Sequence, residues 1–282
     1  MAFVEVADRI WVSRQEWFDL NVILVGGEAG LVVVDTHASS LAARGVIEEI
    51  RALGVGAVTA VVNTHEHFDH TFGNGAFLQE YADVPVHATE EAAARTTASG
   101  ERIKELYLTE PEDPHGPEVR ATTIVPATET FSSVRVLDLG DRQVELVHPG
   151  RGHTGGDLVA RIPDADVLLA GDLVEESGPP NYGADSFPLE WPSSLDLVLG
   201  LLSSTTVVIP GHGSVTDRDF VVAQQADVGR VAETIRELAS EGVLVEDALA
   251  SAEWPFPAER LADAVRRGYA QLPRDARRLP LL

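Results

Sequence analysis

The sequence predicts an α/β fold, and three observations carry that expectation. Short apolar runs bounded by Gly and polar turn residues alternate with segments of helical spacing. The plan occurs twice along the 282 residues: a strand ends in Asp (Asp35, Asp172), a helix follows, and a second strand ends in His (His65, His212). These polar residues stand just past the ends of buried strands, where α/β folds place their sites.

In the first half, residues 3–13, 22–25 and 31–34 read as strands, with Gly26, Gly27 and Gly30 forming a hairpin turn between the last two. Ser39 or Ser40 caps a helix over 41–53 that stops near Gly54. The continuous apolar run 57–62 is a strand leading into Asn63-Thr64-His65. In the second half, residues 134–139, 143–147 and 158–162 read as strands. Residues 167–170 are a buried-type strand ending at Gly171-Asp172, and a helix covers about 193–202. Residues 206–209 form a last strand, ending at Pro210-Gly211-His212-Gly213. Residues 217–238 follow as an amphipathic surface helix. The halves are similar without being a strict repeat. The main domain spans 1–242, and its polar segment 95–130 reads as an insertion over the site. Residues 243–282, with Pro255, Pro257 and the run 260–269, read as a short helical extension.

Composition narrows the chemistry. With 44% hydrophobic and 23% charged residues, the chain has the balance of a soluble globular protein. No apolar run reaches membrane-spanning length, and residues 1–8 lack a basic region followed by an apolar core, so a cytoplasmic location is expected. A net charge of −24 repels phosphate backbones and anionic membranes. The expected partner is a small-molecule substrate, with no nucleic acid and no membrane; the sequence leaves the oligomeric state open. There is no cysteine, which rules out disulfides, thiolate metal sites and Cys nucleophiles. Any metal chemistry must therefore use imidazole and carboxylate.

The run His65-Glu66-His67-Phe68-Asp69-His70 supplies both. An i, i+2 pair of histidines at a strand end can point two rings the same way. A turn into a helix at Asp69 adds a carboxylate and a third imidazole. Such nitrogen and oxygen ligands suit zinc and similar divalent metals. Three further residues stand in matching contexts: His153 in Gly152-His153-Thr154-Gly155-Gly156, Asp172 at the end of an apolar strand, and His212 between Gly211 and Gly213.

Taken in order, these five pieces over about residues 1–240 resemble the metallo-β-lactamase superfamily. The resemblance implies a four-layer αβ/βα sandwich, two mixed sheets with helices on the outer faces, and a glyoxalase-II-like metal site. It implies that His65, His67 and His153 hold one metal, that Asp69, His70 and His212 hold a second, and that Asp172 bridges them. Two Zn2+ are expected, with Fe or Mn as alternatives. Two such cations would share a hydroxide that attacks a small carbonyl substrate, with Asp69 and Asp172 as the catalytic carboxylates.

Within the superfamily, Asp172 and the lack of Cys point away from the β-lactamases that bind zinc through Cys and toward hydrolases of esters, thioesters, lactones or amides. His67 argues against the flavodiiron branch. β-Lactamase, phosphodiesterase and mononuclear iron persulfide dioxygenase activities remain alternatives, as does a metal-binding module without turnover. Further candidates for supporting a ligand or touching substrate are Asp35, His37, Trp17, Tyr182 and Trp191, with Phe18 beside Trp17. His87, His115 and His148 read as ordinary.

Overall fold

The computed structural model describes residues 2–273. The remainder of the expected extension, including Arg274, Arg277 and Arg278, lies outside the described residues. The chain runs β1 (Val4–Ala7), β2 (Ile10–Gln15), β3 (Leu20–Gly27), β4 (Gly30–Val34), α1 (Ser40–Leu53), β5 (Val58–Val62), α2 (Phe68–Thr71), α3 (Asn74–Glu80) and β6 (Val86–Thr89). It continues with α4 (Glu90–Thr109), α5 (Gly116–Ala121), β7 (Glu129–Phe131), β8 (Val134–Asp138), β9 (Gln143–Val147), β10 (Val159–Ile162) and β11 (Val167–Glu175). Last come α6 (Trp191–Leu201), β12 (Val207–His212), α7 (Arg218–Ser240), α8 (Val245–Ala248) and α9 (Ala262–Gln271).

Alternation along the strands builds the layers. Val32 and Val34 of β4 face an inner core, which also holds Leu146 of β9, Ala160 of β10 and Leu169 of β11. Leu31 and Val33 face the opposite way, onto Val46 and Ile50 of α1 and Phe77 of α3. In the second half, Leu168 and Ala170 pack outward on α6 and α7 through Leu195, Val228 and Ile235. The order is therefore helix, sheet, sheet, helix, the four-layer α/β architecture expected. Both sheets are mixed: β4 to β7 run parallel, as do β11 and β12, while β2–β4 and β8–β11 are antiparallel. They join at one corner through the pair His212–Leu20 between β12 and β3, so the hydrogen-bonded network is continuous.

One strand expected in the first half needs correction. The apolar run 3–13 is a hairpin, β1 and β2, turned at Asp8-Arg9 with Arg9 at φ 52°. Residues 95–130, read from the sequence as an insertion, hold most of the 20-residue α4, then α5 and the start of β7. Thr89 caps α4 by accepting from the Ala92 N–H. The extension from residue 243 is anchored to the main body: α9 packs on α7, where Gly268 approaches Ile235 so closely that a Cβ would stand 2.8 Å from its Cγ2. No helix among the described residues is long and apolar enough to cross a membrane.

Candidate metal centre

All seven side chains singled out as ligands converge at the corner where β12 meets β3. His65 follows β5, His67 caps α2 and Asp69 and His70 lie within it, His153 sits in the loop before β10, and His212 ends β12, whereas Asp172 lies inside β11, which runs on to Glu175 instead of ending at Gly171-Asp172 as expected. Donor atoms of His65, His67 and His153 lie within 4.8 Å of one another, as do those of Asp69, His70 and His212. Asp172 stands between the groups. Its Oδ2 is 3.4 Å from His153 Nε2, 3.8 Å from His65 Nε2 and 3.3 Å from His212 Nε2, and its Oδ1 is 3.3 Å from His70 Nε2. Ligands about 2.1 Å from a cation stand about 3.4 Å apart in a tetrahedron, so this spacing fits coordination.

The outer nitrogen of every ring is spent on an acceptor. His70 Nδ1 lies 2.8 Å from Asp35 Oδ2, His153 Nδ1 is 2.9 Å from the Asn181 carbonyl, and His212 Nδ1 is 2.8 Å from the Phe18 carbonyl. His67 Nε2 is 3.1 Å from Asp185 Oδ2. The Thr64 hydroxyl donates to Asp35 Oδ2 at 2.9 Å, so it can only accept from His65 Nδ1 at 3.0 Å. Each ring must therefore carry its proton outward, leaving a lone pair facing the centre. Two such inward nitrogens, His70 Nε2 and His212 Nε2, approach to 3.2 Å, and His153 Nε2 and His67 Nδ1 to 2.9 Å. Lone pairs repel at this range unless a cation is shared. Among the described residues, His65 Nε2 and Asp172 Oδ1 are buried without any hydrogen-bond partner, which native structures rarely tolerate. The residues fit a divalent metal pair.

Electrostatics agree. Burial resists charge on His212, yet Asp172 and Asp69 push it up to about 12. Burial also resists charge on His67, and Asp185 with Asp69 still holds it up at about 8. Burial works against the Asp172 carboxylate, but His212, His70 and His65 keep it well below the usual range. The pocket's carboxylates thus draw positive charge inward, a demand that cations meet.

Backbone geometry aims these groups. Asp35, just beyond β4, has φ 63° and accepts from the Thr64 N–H at 2.8 Å as well as from the Thr64 hydroxyl and His70. Phe18 has φ 66°, which turns its carbonyl toward His212. Such left-handed non-Gly residues cost on the order of 1 kcal/mol or more each. Their clustering here marks where the fold spends stability on the site.

The other candidates separate by position. Phe18 and Phe68 line the cavity over the centre. Trp17 is stacked on His115, with ring centroids 3.7 Å apart, and does not line it; His37 is buried beside Trp17. Tyr182 and Trp191 are buried beneath the site, so neither is placed to touch substrate. Trp191 packs edge-on to His153, 5.8 Å between centroids, and donates to the Leu173 carbonyl. Glu66 faces away into a neighbouring cleft beside Ser99 and Asp185.

Sequence patterning missed Asp185, Asn181 and Glu175. Asp185 and Asn181 lie in the loop between β11 and α6 and act through contacts that no spacing announces. Glu175 is buried, with a carboxylate oxygen within 4.8 Å of donor atoms of Asp172 and His212. The register shifts around Gly171 in β11 bring Asp172 and Glu175 to one side, where a regular strand would separate them.

The comparisons with known proteins follow the same site. The metallo-beta-lactamase superfamily model matches residues 16–213. The chain is 28% identical over 221 residues to the metallo-beta-lactamase type 2 of Bacillus cereus, covering 76% of this chain and 77% of that one. It is 24% identical to a linear primary-alkylsulfatase of Pseudomonas sp., over 67% of this chain and 40% of the relative. Among solved structures, the metallo-beta-lactamase FIM-1 from Pseudomonas aeruginosa in its mono-zinc form superposes with TM-score 0.64 at 19% identity, covering 82% and 96% of the two chains. A metallo-beta-lactamase from Pontibacter korlensis gives 0.63 at 21%, covering 80% and 98%. At these identities the structural likeness speaks for the fold.

Proposed function

The chain belongs to the metallo-beta-lactamase superfamily, and on that premise we propose that it is a dinuclear metal-dependent hydrolase of a small carbonyl substrate: an ester, thioester, lactone or amide. The observation that carries this is the set of five imidazoles, each pinned from outside so that its lone pair meets Asp69 and Asp172. Zinc is the expected metal, with iron or manganese as alternatives for the same ligands. Bound there, two cations supply a water made acidic enough to lose its proton near neutrality and a Lewis acid for the carbonyl oxygen.

The protein's own groups do the rest. His65, His67 and His153 form one binding group and Asp69, His70 and His212 the other, with Asp172 reaching both. Asp69 Oδ2 lies 3.4 Å from His212 Nε2, and Asp69 also lines the cavity, so it can accept a hydrogen bond from the attacking water and orient it. Phe18 and Phe68 form an apolar wall that excludes water from one side.

Metal analysis and a panel of ester, thioester, lactone, β-lactam and phosphodiester substrates test this. The expected result is about two metals per chain and turnover of a carbonyl substrate that chelation abolishes. Turnover insensitive to chelation would sink it. One iron per chain with oxygen uptake on a persulfide would replace it with oxygenase chemistry. A β-lactam is the second reading, favoured by the Bacillus cereus relative; Asp172 and the absence of Cys weigh against it.

A further inference from the structure

The cavity over the metal centre has a volume of about 630 Å³, more than a simple ester fills. Its inner wall is acidic, with Asp69, Asp172 and Glu175. Two guanidinium groups also line it, Arg102 from α4 and Arg260 from a 3₁₀ turn, Ala258–Arg260, in the C-terminal extension. The chain holds 45 acidic residues against 21 Lys and Arg, so two arginines at one cavity run against its composition.

Many of the other arginines are matched closely by carboxylates, as Arg9 is by Asp141 at 2.6 Å and Arg151 by Glu190 at 2.7 Å, and Arg120 and Arg267 donate to backbone carbonyls. Arg102 and Arg260 are not so matched. Among the described residues, the Arg260 side chain has no hydrogen bond or ion pair. Arg102 has only Asp185, at 3.6 Å, and that oxygen is already engaged by His67. Neither arginine hangs on a loose segment. Leu261, next to Arg260, is buried, and α9 beyond it is tied to the site loop by Arg267 Nε donating to the Ser186 carbonyl and the Leu189 N–H donating to Gln271. Arg102 sits within a 20-residue helix whose next residue, Ile103, adds to the apolar wall. Guanidiniums on anchored backbone, with donors free at the mouth of a cavity, can receive an oxyanion.

We propose that the substrate carries an acid group, a carboxylate, sulfate or phosphate, at the end remote from its scissile carbonyl, and that Arg102 and Arg260 hold it. This rests on the hydrolase reading above and names its substrate class. The apolar body between acid and carbonyl would lie along Phe18, Phe68 and Ile103. The two segments outside the repeated strand plan, α4 and the extension, thereby become the specificity elements of the site.

The test compares mono-p-nitrophenyl glutarate with the neutral p-nitrophenyl butyrate on metal-loaded protein. The acid ester is expected to be preferred in kcat/KM by about tenfold or more, mostly through KM, as charge-assisted hydrogen bonds allow. The double variant Arg102→Ala/Arg260→Ala should erase that preference, and Lys at both positions should restore part of it. Arg230→Ala removes one such charge outside the cavity and should keep the preference. Calorimetry with glutarate, propyl sulfate and propyl phosphate reads the clamp without turnover and shows which oxyanion it takes. Arginine-dependent anion binding without any ester hydrolysis would overturn the hydrolase reading and leave the clamp. Turnover with no preference for the acid ester, or a preference that survives the double variant, would overturn the clamp alone.

Discussion

Asp185 Oδ2 accepts from His67 Nε2 at 3.1 Å across 118 residues of chain, and the same oxygen lies 3.6 Å from Arg102 Nη2. One loop carboxylate thus orients a metal-facing ring and tethers a cavity arginine. Burial works against the Asp185 charge, but the His67 bond holds its carboxyl below the usual range. Asp185→Asn keeps the shape and loses the charge. It should weaken metal affinity by about 10- to 100-fold, as loss of such outer partners does. Competition with a chromophoric chelator measures this, and unchanged affinity would show that packing alone fixes the ring.

Asp35 makes a second prediction. Its buried carboxylate accepts from the Thr64 N–H, the Thr64 hydroxyl and His70 Nδ1. Asp35→Ala strands three buried donors and places Ala at φ 63°. At about 1–3 kcal/mol for each orphaned group, a loss of at least about 3 kcal/mol is expected in urea unfolding. Asp35→Asn tolerates the backbone and retains one acceptor oxygen, so its loss should be smaller. Equal losses would place the cost in the missing charge rather than the missing bonds.

The strands leading to Asp35, His65, Asp172 and His212 were legible because each is a short apolar run, largely buried, that meets a polar residue. The convergence of the predicted ligands follows from that placement. What stayed hidden has physical causes. Apolar alternation runs through Asp8-Arg9, so the hairpin turn there leaves no gap in the pattern. Helix α4 buries few residues, so its sequence is as polar as a loop. Asp185, Asn181, Arg102 and Arg260 act from positions set by loop paths and helix packing, which a local window does not encode. Tyr182 and Trp191 drew attention as aromatics near Asp172, but they pack on each other at 5.0 Å beneath the site.

Gly211 gives a third prediction. A Cβ there would stand 1.9 Å from Asp172 Oδ1, with the Gly171 backbone 3.1 Å away. The side chain is freer to shift than the backbone of two paired strands, so the carboxylate is expected to move. Gly211→Ala should lower the metal content by at least one ion relative to the parent, read by elemental analysis. Gly200→Ala in α6 meets nothing within 4 Å and serves as the control, with stability unchanged or raised by about 0.5–1 kcal/mol. Full metal content in the Gly211 variant would mean that Asp172 is not confined by this contact.

Asp157 shapes the His153 loop and predicts a pH dependence. Burial pushes its carboxyl up to about 7, although the Thr154 hydroxyl donates to it at 2.6 Å and the Thr154 N–H at 3.0 Å. The unfolded value is about 3.9, so between these limits the folded protein holds a proton that the unfolded chain has released. The associated stability is fully present below about pH 4 and is lost as the pH rises through about 7. Asp157→Asn is neutral throughout and escapes that loss. Between pH 5 and 7, chelator-treated parent protein should lose on the order of 2 kcal/mol more than chelator-treated variant in urea unfolding. Parallel curves for the two would mean that Asp157 stays ionised in the fold, with the Thr154 bonds outweighing its burial.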